Sequence, residues 1–170
     1  MGNRIQLKNV RLSFPSLFRK EEFNGVQGKY SATFLIPKDD AVIATIKAEI
    51  TRLLAEAKIK VASDKICLRD GDEIEYDGYA GHYSIKASSS RRPVVIDRDK
   101  TPITEEDGIL YAGCRVNAII DLWVQNNNYG KRVNCNLHGV QFVKDDTAFG
   151  AGSVDVTSEF DDVEGDDLPF

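Results

Sequence analysis

Apolar residues change parity partway through the first segment of the chain. Ile5 and Leu7 fall on one side of an extended backbone, and Val10, Leu12 and Phe14 fall on the other. Strand side chains alternate with period two, so this switch predicts a strand over 4–14 that bulges or bends near Asn9. Tyr30, Ala32, Phe34 and Ile36 share one face of a second strand over 29–36, which Pro37 ends. Asp39 or Asp40 is placed to cap a helix, and Ile43, Ile46, Ile50, Leu53, Leu54 and Ala57 then recur at helical spacing. A helix over about 40–58 follows, its apolar stripe on the sheet and Lys47, Glu49, Arg52 and Glu56 pointing elsewhere.

Turn signals dominate 64–81, in Arg69-Asp70-Gly71-Asp72 and Tyr76-Asp77-Gly78-Tyr79. A third strand is expected over 82–87, a basic loop over 88–93 and a short extended piece over 94–97. The clearest hairpin joins 113–125 to 131–143 through Asn126-Asn127-Asn128-Tyr129-Gly130, residues that tolerate positive φ. Cys114, Val116, Ala118, Ile120, Leu122 and Val124 form one apolar face, and Val133, Cys135, Leu137 and Gly139 the other. These faces meet if Leu122 lies opposite Val133 and Ile120 opposite Cys135, or if both pairs shift by two. The first register sets Trp123 against Arg132 and Asp121 against Asn134, and so puts a tryptophan on a polar, basic face. The pattern as a whole is mainly β with one helix.

Charge then divides the chain. All 22 Lys and Arg lie at or before Lys144, and nine of the 27 Asp and Glu lie from Asp145 onward. The body is therefore about +4 and the remainder −9, within a total of −5. After Val154 there are seven acids and no bases, too little apolar surface to fold alone. Residues 1–144 are expected to form one domain and 145–170 a disordered acidic tail. No apolar run reaches membrane-spanning length and the N-terminus has no apolar signal core, so a cytoplasmic protein is expected.

Catalytic and metal motifs are missing. The sequence has no Walker A loop, GxGxxG, GxSxG or HExxH. Cys67, Cys114 and Cys135 form no CxxC, and His82 and His138 are not paired at ligand spacing, so neither metal nor cofactor is expected. The acidic runs Asp70-Gly71-Asp72-Glu73 and Glu105-Glu106-Asp107 read as solvated loop charge.

Binding single strands without sequence preference needs cations along the phosphates and flat rings on which bases stack. Both occur together in Tyr83 and Lys86 with Arg91 and Arg92, in Trp123 with Tyr129, Lys131 and Arg132, and in Arg19, Lys20 and Phe23. The C-terminal run adds Asp161, Asp162, Asp166, Asp167, Leu168, Pro169 and Phe170. There a terminal ring can enter an apolar pocket while carboxylates meet surrounding Lys and Arg.

Asp166-Asp167-Leu168-Pro169-Phe170 resembles the acidic tip of bacterial single-stranded DNA-binding proteins, whose tails recruit replication and repair partners. The body resembles a bacteriophage single-stranded DNA-binding family related to the bacteriophage T7 protein. The likeness is carried by 77–88, by Arg91-Arg92-Pro93-Val94-Val95-Ile96-Asp97, by Leu110-Tyr111-Ala112-Gly113, by Gly130-Lys131-Arg132-Val133 and by Leu137-His138-Gly139-Val140-Gln141. It implies an OB-fold, a five-stranded Greek-key β-barrel with an inserted helix. It also implies coating of DNA during phage replication and recombination, tail contacts with polymerase and helicase or primase, and room for a homodimer. The T7-type tail ends in Phe without the Leu-Pro, which leaves phage-encoded and host partners both open. Two other classes compete: a DNA-mimicking protein that inhibits a host nucleic-acid enzyme, and a metal-dependent nuclease.

Overall fold

A computed structural model describes residues 3–149. Strand β1 spans Arg4–Ser16, and a small hairpin follows in β2 (Glu22–Phe23) and β3 (Val26–Gln27). Next come β4 (Tyr30–Pro37), helix α1 (Val42–Ala57), β5 (Leu68–Asp70) and β6 (His82–Ser89). The chain continues through β7 (Val94–Ile96), β8 (Arg115–Asn127) and β9 (Gly130–Lys144).

β1 bends twice. Asn9 has φ 53° and the register against β8 slips between Leu7 and Val10, where the parity change predicts it. Ile5 and Leu7 before the slip and Val10 and Leu12 after it are all buried. Asn accepts this left-handed conformation readily. The second bend departs from expectation: Phe14 has φ 45° and the pairing with β4 slips between Ser13 and Ser16. Phe14 is therefore turned out of the core, 57% exposed, and Leu17 is the next residue to enter it.

The Asp40 carboxylate accepts the Val42 N–H at 3.0 Å, and α1 ends at Lys58 with φ 56°. Ile43, Ile46, Ile50 and Leu53 join the barrel core as expected. Glu49 does not point away but is buried. Arg52 donates to it at 2.8 Å and the Asn3 amide at 2.7 Å, so its charge is paired inside. β5 arises inside the segment read as turns, because β6 offers it Ile85, Ser84 and Tyr83 as partners.

Antiparallel pairing runs β6-β4-β1-β8-β9, and a parallel bridge from Ser88 to Asn136 joins β6 to β9 and closes five strands into a barrel. That ring, with parallel closure of the third barrel strand on the fifth, is the OB-fold, with α1 inserted between the second and third. The hairpin takes the shifted register, Leu122 opposite Cys135 and Ile120 opposite Leu137. Trp123 consequently faces Asn134 rather than Arg132, and Asp121 faces Asn136. The edge of β9 is covered by three pieces in turn: Ile66 beside Val133, Ser88 beside Asn136, and β7 beside 139–141. Cys114 and Cys135 are buried, Cys67 is half-buried, and all three are unpaired. Among the described residues no helix is long and apolar enough to cross a membrane.

Candidate nucleic-acid interface

Alternation decides what the barrel shows to solvent. Ala32, Phe34, Ile85 and Ala87 point inward, so Ser31 and Thr33 of β4 and Ser84, Lys86 and Ser88 of β6 lie on the outer side of the sheet. They form a wall in which Ser31, Thr33 and Ser84 are nonetheless buried, Ser88 is half-buried and Lys86 is exposed. The wall continues over Asn136 and Asn134 of β9 to Trp123 of β8. In OB-folds this surface of the second and third barrel strands, with the loops joining strands one to two and four to five, receives oligonucleotides or oligosaccharides. In this chain those strands are β4 and β6. The loops are 17–29 and the hairpin tip at Asn128-Tyr129.

One recess in the wall, about 440 Å³, is lined by Thr33, Arg69, Ser84 and Lys86 together with Phe14 and Tyr76. Phe14 and Tyr76 are 57% and 59% exposed, and their rings meet edge to face at 5.0 Å. Tyr79 stands behind Tyr76 at 5.4 Å and shares a 2.8 Å hydrogen bond with the Ser13 hydroxyl. Burial pushes the Tyr79 phenol above its ordinary range. A second recess, about 340 Å³, is lined by Lys29, Ser90, Arg91, Arg92, Asn136 and His138.

Most of the residues singled out from the sequence reach this wall or its loops. Lys86 sits in the first recess, and Arg91 and Arg92 sit in the second. Arg92 also lies over the Phe18 ring at 5.9 Å. Trp123 is half-buried on the outer face, and Arg132, opposite Gln125, shares that face. Lys131 stands at the hairpin end opposite Asn126, and Tyr129 at the tip is 88% exposed. In the 17–29 loop, Arg19 pairs with Glu105 at 3.0 Å and Lys20 lies 5.9 Å over the Tyr30 ring. The Phe23 side chain lies outside the described residues, as do Asp161, Asp162, Asp166, Asp167, Leu168, Pro169 and Phe170.

Tyr83 is the exception. It shares parity with Ile85, so it leaves the sheet on the α1 side, opposite to Lys86. Lys47 donates to its hydroxyl at 2.9 Å, and the Lys38 and Lys47 ammonium groups lie over its ring. Lys38 in turn holds Asp70 and Asp72, whose carboxyls sit below their usual range because of that contact. Tyr83 thus belongs to a separate patch.

Sequence reading missed Phe14, Tyr76, Tyr79 and Arg69. Tyr76, Tyr79 and Arg69 carried a signal, since each stood in a glycine-containing run marked as a turn. Phe14 carried none, because its outward pose depends on the second bend. The first acidic residues are also tied to the barrel. Asp146 pairs with Arg115 at 2.8 Å, Arg11 stacks 4.1 Å over Phe149, and the Phe149 N–H reaches the Ala112 carbonyl at 2.9 Å. The Thr147 amide first, and then Arg115, hold the Asp146 carboxyl below its ordinary range.

Fold and wall together define an OB-fold barrel with a cationic, aromatic-lined outer face. The chain belongs to the family described as "Enterobacter phage Enc34, ssDNA-binding protein", whose model matches residues 3–168. It is 45% identical over 174 residues to a protein designated p50 from Acyrthosiphon pisum secondary endosymbiont phage 1, covering 94% of each chain. The solved single-stranded DNA-binding protein from bacteriophage Enc34, in complex with ssDNA, is 35% identical with a TM-score of 0.79, over 86% of this chain and 89% of that one. The bacteriophage T7 protein gp2.5 shares the fold at 16% identity and a TM-score of 0.60, covering 99% and 98%.

Proposed function

We propose that this chain binds single-stranded DNA without sequence preference, protecting it during phage replication and recombination in the host cytoplasm. The carrying observation is the pair of half-exposed rings, Phe14 and Tyr76, beside Arg69 and Lys86 on the second-and-third-strand wall. Rings accept any base face and cations track phosphates, so the arrangement reads a strand and not its sequence. The Enc34 relative, solved with ssDNA, supports the same ligand. Arg91, Arg92, Lys29, Trp123, Lys131, Arg132 and Tyr129 extend the path to the hairpin, Arg19 and Lys20 flank it from the 17–29 loop, and Phe23 is proposed as a further base-stacking residue. Tyr83 is not part of this path.

In this reading residues 1–144 are the binding domain. The acidic segment 145–170 hooks replication proteins through Asp161, Asp162, Asp166, Asp167, Leu168, Pro169 and Phe170, and competes with DNA for the cationic wall. Trp123 is the chain's single tryptophan, so its fluorescence reports the wall directly. Titration with oligo-dT should quench it. The binding constant should fall with salt by about 0.7 log units per phosphate contact per log unit of salt. Absence of any dT binding at low salt, with or without the acidic segment, would instead favour a DNA mimic.

A further inference from the structure

We propose that Glu21 is a built-in stand-in for a DNA phosphate, holding Lys86 until a strand displaces it. The inference rests on the single-strand reading of the wall. Glu21 is, among the described residues, the only carboxylate lining the recess that contains Arg69, Lys86 and Phe14. Its side chain accepts a hydrogen bond from the Ser31 hydroxyl and lies 3.3 Å from the Lys86 ammonium. Ser31 is 1% exposed, so the carboxylate rests on the wall itself and not above it.

The backbone holds it there. The Glu21 N–H donates to the Lys29 carbonyl at 2.9 Å, and the Gly28 N–H returns to the Glu21 carbonyl at 2.6 Å. A Cβ at Gly28 would stand 3.3 Å from that carbonyl, so glycine suits the close approach. Between them β2 and β3 turn at Asn24-Gly25 with φ 51° and 78°, a tight hairpin that brings 21 and 28 together. The acid is thus positioned by its loop, independently of Lys86. The Glu21 and Lys86 side chains remain 41% and 59% exposed, so a phosphate oxygen can reach the ammonium by replacing the carboxylate.

The physical consequence is an exchange of one anion for another. Cations condensed on the strand leave wherever a lysine neutralises a phosphate, and this release makes binding salt-dependent. When a phosphate takes Lys86, the displaced Glu21 carboxylate stays in the recess as an uncompensated negative charge. It holds a cation in place of the one the phosphate sheds, so net release at that position is close to none. Glu21 therefore makes binding weaker and less salt-sensitive than the wall's cations alone would dictate.

The test compares the full chain with Glu21→Gln, which keeps an acceptor for Ser31 and removes only the charge. Oligo-dT affinity is measured between 50 and 200 mM salt, with melting curves to confirm the fold. Glu21→Gln should bind roughly two- to fivefold tighter at the low-salt end, the range spanned by exposed ion pairs. Its plot of log affinity against log salt should steepen by about 0.7. Adding Lys86→Gln should abolish that extra slope. Equal affinity and slope in the two chains overturn the proposal, as does an extra slope that survives without Lys86, which would mark a diffuse charge effect. If neither chain binds dT even at low salt, the single-strand reading itself fails and the proposal falls with it.

Discussion

Phe14 shows how a single backbone angle creates a surface. A bulky residue at φ 45° costs about 1–2 kcal/mol relative to an ordinary strand conformation. The surrounding pairings of β1 hold it there, and such outliers gather at ligand sites. Phe14→Ala should weaken dT binding by about 1–3 kcal/mol if a base stacks on the ring. Phe14→Gly loses the same ring but not the freedom to adopt positive φ, so in denaturant melts it should be about 1 kcal/mol more stable than Phe14→Ala. Equal stability of the two would remove backbone strain from the account. Glu49 makes the opposite point, as a charge that helical spacing assigned to solvent and tertiary contacts drew inside. Arg52 first, and then the Asn3 amide, hold its carboxyl below the usual range against the opposing effect of burial. A lowered folded value means that the stabilisation is complete above the unfolded carboxylate range and is lost as pH falls through the folded value. Melting temperature should accordingly drop between pH 6 and pH 3, and Glu49→Gln should flatten that drop.

Among the elements, those with their own periodicity were legible and those defined by a neighbour were not. The bend at Asn9, the helix and the long hairpin each spanned enough residues to show their parity. β5 has three residues and exists because β6 pairs with it. As far as Leu137 the hairpin was legible to within its side-chain period, with two registers satisfying the alternation. Beyond it a bulge at Ile119/Ile120 sets Gly139, expected on the apolar face, opposite the exposed Ile119 and brings Val140 into the core. The turn chose between the two registers, since Asn128 and Tyr129 alone separate β8 from β9. The chosen register keeps Trp123 on the outer face and exchanges Arg132 for Asn134 as its partner. Trp123→Ala should therefore cost about 1–3 kcal/mol of dT affinity with the barrel intact. An unaltered affinity would reassign the ring to packing.

At the scale of the whole molecule, charge was the most readable feature and its attachment point the least. The sequence places the sign change at Asp145, yet 145–149 are fastened to Arg11, Tyr111 and Arg115. A truncation should accordingly end after Phe149 and not after Lys144. Removing 150–170 takes away seven acids and should tighten dT binding, most strongly at low salt. Unchanged or weaker binding would show that the segment does not rival DNA.

The stitched edge of β9 has a consequence for how the molecule is made. Ile66, Ser88 and Val94–Ile96 all wait for a strand synthesised after them, so the barrel's seam stays open until the final hairpin leaves the ribosome. Such long-range pairings put late loop closure, rather than local propensity, in control of the folding rate. A nascent chain halted before β9 would expose three short unpaired edges, each a template for association with a neighbour.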